Sequence, residues 1–152
     1  MTLTDAKVLD DVSWAILTEL QNDARVPFSE LGRKVGLSAP AVAERVRRLE
    51  DAGVIRGYRA ELDLSKLGYT LLAVIRISVD NPREDAFVGR VRDMREVLSC
   101  DRVTGTDCSV LRVAVTGVPH LDEVIRTLKA YGSPVTSIVL SSPVQSRLVG
   151  KP

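Results

Sequence analysis

The run FSELGRKVGLSAPAVAERVRRL, residues 28 to 49, decides the fold of the first part of the chain. Val35, Gly36 and Leu37 close a short helix, because glycine adopts at little cost the left-handed backbone that commonly ends one. Ser38 then offers its hydroxyl to an early backbone N–H of the next helix, and Pro40 falls in that helix's first turn, where a missing N–H matters little. Along the second helix Val42, Val46 and Leu49 recur at spacings of four and three, one apolar stripe able to pack on Leu31 and Val35. Two helices joined by so tight a turn read as a helix-turn-helix, with residues 38 to 51 as the helix presented to a duplex groove. Ser38, Ala39, Pro40, Ala41 and Glu44 would then stand nearest the base edges, while Arg45, Arg47 and Arg48 would mostly hold phosphates. The same geometry also arises in helical bundles that meet no nucleic acid, where these arginines are a solvated face.

Charge is distributed in favour of the first reading. The whole chain carries a formal charge of only +1. Residues 33 to 59, however, hold Arg33, Lys34, Arg45, Arg47, Arg48, Arg56 and Arg59 against Glu44, Glu50 and Asp51, and the rest of the first 64 residues is acidic. A positive potential concentrated on one segment suits specific binding of double-stranded DNA better than general polyanion scavenging.

Working outward, residues 9 to 22 put Val12, Ile16, Leu17 and Leu20 on one helical face, the first helix of a three-helix module with Trp14 partly buried. After Ala52-Gly53 the segment VIRGYRAELDL places Ile55, Tyr58 and Leu62 as anchors of a short β-wing, with Arg56 and Arg59 pointing toward a DNA backbone; a plain connecting strand fits the pattern equally. From Tyr69 the hydrophobic period changes from helical to alternating, so the chain divides into a DNA-binding domain, residues 1–64, and a second domain, residues 65–152.

That second domain reads strand (69–79), helix from Asn81, strand (97–103), strand (108–115), helix from Pro119 and strand (135–140), with a hairpin about Thr104-Gly105-Thr106. The order is that of a ferredoxin-like βαββαβ unit, two helices covering one face of a four-stranded antiparallel sheet. The uncovered face would carry Leu72, Val74 and Val110 beside Arg76 and Arg112. A half-apolar face on so small a domain needs a partner, and a second copy of the chain is the simplest one.

At this point the residues show a resemblance. LDDVSWAILTELQNDAR, ELGRKVGLS, VAERVRRLEDAGVIRGYRAELD and KLGY, then RVTG and TSIVLS, closely resemble the leucine-responsive regulator/AsnC family of prokaryotic transcription factors, also called feast/famine regulators. The resemblance implies an α+β protein: an N-terminal winged helix-turn-helix joined to a ferredoxin-like effector-binding domain named RAM. It further implies homodimers that often assemble into octamers, and a small-molecule effector, usually an amino acid, bound between C-terminal domains. Carried onto this sequence, the effector contacts would be Gly105, Thr106, Asp107, Cys108 and Thr136. The family places an aspartate three residues after the hairpin glycine; here Cys108 stands there and Asp107 comes one place early. Since side chains alternate along a strand, either the loop is rearranged or the usual anchor for an amino group is absent. The alternative reading is an architectural DNA-organising protein that takes no ligand.

Other functions find little support. His120, the one histidine, has no serine, cysteine or carboxylate at suggestive spacing, so no enzyme is expected and no cofactor or metal is called for. Cys100 and Cys108 lack metal-ligand spacing, though they could face each other across the hairpin as a redox pair. At 45% hydrophobic and 27% charged residues the chain can bury cores, and it holds no apolar run of about 18 residues to span a bilayer and no leader pattern, so a cytoplasmic protein is expected.

Overall fold

The computed structural model describes residues 8–105, 109–145 and 147–152. The first compact unit runs to Glu61 and also takes in Val144–Pro152; the second is Leu62–Pro143. The division expected after residue 64 compares with a first crossing between these units at residues 61–62. Residues 144–152 differ: they group with the helices and not with the sheet, because their hydrogen bonds go to the first helix.

In the first unit, α1 (Asp11–Asn22) starts at Asp10, whose carboxylate accepts the Ser13 N–H at 2.8 Å. Helix α2 (Phe28–Val35) ends at Gly36, where φ is 72°, the left-handed value expected there. Helix α3 (Ala39–Asp51) is capped by Ser38, which accepts the Ala41 N–H at 3.4 Å, and has its proline in the first turn. Ile16, Leu20, Val26, Leu31, Val42, Val46 and Leu49 form the core, each at most 8% exposed. Burial on this scale contributes roughly 1.5–3 kcal/mol per large aliphatic side chain and holds the three helices together.

The turn between α2 and α3 depends on a residue with no side chain. Gly32 is buried, its carbonyl accepts the Leu37 N–H at 2.8 Å, and a Cβ built on it would lie 2.4 Å from the Leu37 carbonyl oxygen. Backbone, not a flexible side-chain tip, fills that space.

Residues 54 to 64 hold no strand, which corrects the expected wing. A strand needs a neighbour for its N–H and C=O groups; this segment is instead fixed to the end of α3. The N–H groups of Val54 and Ile55 both donate to the Leu49 carbonyl, at 2.9 and 3.1 Å, and the Tyr58 hydroxyl donates to Glu50 at 2.9 Å.

The second unit contains β1 (Leu71–Val79), α4 (Glu84–Asp93), β2 (Val97–Arg102), β3 (Ser109–Val115), α5 (Val118–Lys129) and β4 (Gly132–Ile138). The sheet order is β2-β3-β1-β4 with every pair antiparallel, the ferredoxin-like arrangement. Ala73, Ile75 and Ile77 of β1 meet Leu111 and Val113 of β3 under Phe87, Val91, Leu121, Val124 and Leu128 of the two helices. The final strand begins three residues earlier than expected because Gly132 lets it approach β1: a Cβ there would lie 2.0 Å from the Ser78 carbonyl oxygen.

Replacing Gly32 by alanine is expected to lower the stability of the helical unit by about 1–3 kcal/mol, through forced displacement of the Leu37 backbone. Chemical denaturation followed at Trp14, the single tryptophan, measures it; unchanged stability would mean the turn is looser than described.

Candidate functional site

With Val42, Val46 and Leu49 facing the core, helical geometry turns Pro40, Glu44, Arg47, Arg48 and Asp51 outward. Pro40, Arg47 and Arg48 are exposed, as is Ser38 at the helix start, whereas Ala39, Ala41, Glu44 and Arg45 are half-buried. The outward face is self-paired. Glu44 accepts from Arg47 at 2.9 Å and from Arg48 at 3.0 Å, and Arg47 reaches Asp51 at 3.5 Å. Hydrogen bonds from Arg47 and then Arg48 hold the Glu44 carboxyl below its ordinary range, and the same contact raises Arg47. Such exposed pairs are weak and salt-screened, so a phosphate can take either arginine from Glu44 at little cost.

Arg45 behaves differently from the expectation that it holds phosphate. Its Nη1 donates to both Asp10 carboxylate oxygens, at 2.9 and 2.8 Å, and to Ser13 Oγ at 3.2 Å. The reason is angular: position 45 flanks the buried stripe of α3 and so faces α1, where Asp10 and the 2% exposed Ser13 meet it. Asp10 therefore serves two helices, capping α1 and anchoring α3. The Ser13 N–H first, and Arg45 after it, hold its carboxyl below the ordinary value. Sequence reasoning missed this anchor; the available signal was an Asp at the start of one helix and an Arg on the flank of another.

Lys34 is likewise engaged, with Glu19 at 2.6 Å, which ties α2 to α1 and raises the lysine. Arg33, Arg56 and Arg59 are exposed and make no ion pair among the described residues. Arg59 sits on the strandless segment beside Tyr58, whose hydroxyl is pushed up to about 12 by desolvation and by Glu50. Within residues 33–59 the exposed arginines are thus Arg33, Arg47, Arg48, Arg56 and Arg59.

In the second unit, Thr106, Asp107 and Cys108 lie outside the described residues. Gly105 has φ 120°, a conformation side chains disfavour. Thr136 pairs with Ile75 on the helix-covered face of β4, and its Oγ1 is buried without a hydrogen-bond partner among the described residues. These two positions are not brought together. Gly105 is in the connection between β2 and β3, and Thr136 is on the opposite edge strand, beyond β1. Two strand spacings alone separate β3 from β4 by about 10 Å.

The remaining candidates are structural. His120 accepts the Thr116 N–H at Nδ1, 3.4 Å away, which leaves Nε2 to carry the proton and donate to Glu96 at 3.1 Å. Its own backbone N–H and then His120 hold Glu96 below the ordinary range. Burial and Asp101 push the Cys100 thiol up, the opposite of activation. Among the described residues no group of His, Cys, Asp and Glu could hold a metal ion, and no helix is long and apolar enough to cross a membrane.

Comparison with known proteins gives concordant results. Residues 9–50 match the AsnC-type helix-turn-helix domain, and residues 72–149 match the Lrp/AsnC ligand binding domain. The chain is 40% identical to the leucine-responsive regulatory protein of Rhizobium meliloti, over 80% of this chain and 81% of that one. It is 32% identical to the HTH-type transcriptional regulator LrpC of Bacillus subtilis, over 88% and 92%. Among solved structures, a transcriptional regulator from Neisseria meningitidis in complex with L-Met superposes with a TM-score of 0.88 at 31% identity, covering 93% of this chain and 96% of that one. A feast or famine regulatory protein from M. tuberculosis complexed with L-methionine gives 0.85 at 33%, covering 91% and 97%.

Substituting Asp10 by alanine is expected to destabilise the helical unit by about 1 kcal/mol from the lost cap alone, with more from the released Arg45. Because the folded-state pKa of Asp10 is depressed, its contribution is full above about pH 4 and fades as pH falls through the lowered value. Parent and variant should therefore differ at neutral pH and converge toward pH 2, which thermal melts across that range would show.

Proposed function

The chain belongs to the Lrp/AsnC family of transcriptional regulators, and on that premise we propose that it binds specific duplex sites through α3 and answers to a small-molecule effector, an amino acid or a close relative. The observation that carries the DNA reading is the division of labour on α3. Arg45 fastens the helix to α1, while Arg47 and Arg48 extend outward from it. Ser38, Ala39, Pro40, Ala41 and Glu44 approach the bases, and Arg47, Arg48 and Arg59 neutralise phosphates.

The working unit is a homodimer, joined through the sheet face that the helices leave open. Along the register, Leu72 stands beside Ala114, and Val74 and Val110 lie half-buried nearby, with Val135 exposed on β4. A self-complementary contact on this face presents two copies of α3, as a pseudo-palindromic site requires. Higher assembly, such as an octamer, follows the same logic.

The effector is bound between copies. The methionine complexes of the two relatives support an amino acid. The placement of Gly105 in the β2–β3 connection and Thr136 on the far edge strand favours a cleft to which another chain contributes. One sequence feature favours the ligand-free architectural reading instead: Cys108 where the family has aspartate, with Asp107 one place early.

Two outcomes test these readings. Replacing Arg47 and Arg48 together by alanine should weaken binding to all duplexes and reduce the slope of log K against log salt by about 1.8 for each reading helix engaged; an unaltered slope would remove both arginines from the phosphate contacts. Screening the amino acids, L-methionine included, by thermal shift with mass measurement of the assembly should find at least one that stabilises the protein or alters its size. Stabilisation by none would favour the architectural reading.

A further inference from the structure

One groove of the first unit lies apart from the outward face of α3. It runs between α1 and residues 54–59, has a volume of about 830 Å³, and is lined by Trp14, Leu17, Leu20, Ile55 and Tyr58. Val149 stands at its rim. The Gln21 side-chain amide holds that residue twice: Nε2 donates to the Val149 carbonyl at 3.1 Å, and the Val149 N–H donates to Oε1 at 2.8 Å. One amide that both donates to and accepts from a single residue makes the exchange a neighbouring strand would make, so it recognises backbone and not side chain. Two residues on, Lys151 Nζ meets Asp11 Oδ1 at 2.6 Å. Gln21 and Asp11 are at opposite ends of α1, about 15 Å apart along its axis. Residues 149–151 thus run alongside the helix toward its N-terminus.

We propose that residues 147–152 are a releasable clasp on the N-terminal unit. The chain passes between the two units twice, after Glu61 and again before Val144. With the clasp closed, the helical unit is attached at two points; with it open, residues 61–62 are its single tether. The clasp is made by polar contacts and not by burial, since Val149 remains 67% exposed and Leu148 46%. A contact of that kind opens far more readily than a core, and its Lys151–Asp11 half weakens with salt. Trp14, on the same groove, reports the state of the clasp.

The test uses the full chain. In the Gln21→Ala variant, hydrogen exchange at the Val149 amide should accelerate about tenfold and Trp14 emission should shift to the red, while the amides of Ile16 and Leu49 keep their protection. Val149→Pro, which removes the donor without touching a helix, should give the same shift in emission. Lys151→Ala should move emission in the same direction by less, and added salt should do so in the parent. A Val149 amide that exchanges at the free-peptide rate in the parent, or Trp14 emission that stays put in both Gln21→Ala and Val149→Pro, would overturn the proposal.

Discussion

A guanidinium between α1 and α3 decides how the rest of the N-terminal unit works. Arg45 grips both oxygens of Asp10 and the hydroxyl of Ser13, while Asp10 also caps the helix on which it sits. One carboxylate thus fixes the start of α1 and the middle of α3. Val42, Val46 and Leu49 pack α3 into the core, and at its flank Arg45 Nη1, bonded to both Asp10 oxygens, adds a polar link to α1. The direction in which Arg47 and Arg48 leave the surface follows from these contacts.

The same economy appears around the turn. Gly32 leaves room for the Leu37 carbonyl, Gly36 takes the left-handed step, and Ser38 restarts the helix. Leu37, between them, packs its side chain against the helical core, so the turn is held by backbone hydrogen bonds and by that contact. In the sheet unit, Gly132 performs the task of Gly32, admitting the Ser78 carbonyl to where a Cβ would stand.

Much of this was legible in the residues. The stripe at 42, 46 and 49, the Gly36 and Ser38 boundary, and the alternation of Ala73, Ile75 and Ile77 are local patterns, and the local backbone obeyed them. What could not be read was long-range or relational. Arg45 looked like its neighbours Arg47 and Arg48 because sequence does not say which flank of a helix meets Asp10, thirty-five residues earlier. Ile55, Tyr58 and Leu62, with arginines at 56 and 59, resemble a wing, but a strand needs a partner, and among the described residues none pairs with this segment. Residues 144–152 follow the last strand in sequence, and it takes the Gln21 amide and the Lys151–Asp11 pair to reveal that they return to α1. The effector residues were legible only through family resemblance; Gly105 falls in the connection between β2 and β3 and Thr136 on the edge strand β4, beyond β1.

On the function proposed above, α3 is anchored within its own unit and offered in pairs by a self-associating sheet face. Hydroxyl-radical footprinting on a bound promoter fragment tests it most directly. Paired presentation predicts protected patches on one face of the duplex, their centres about 10–10.5 base pairs apart or at a multiple of that spacing. A single isolated patch with no phased companion, or uniform protection around the duplex, would contradict it.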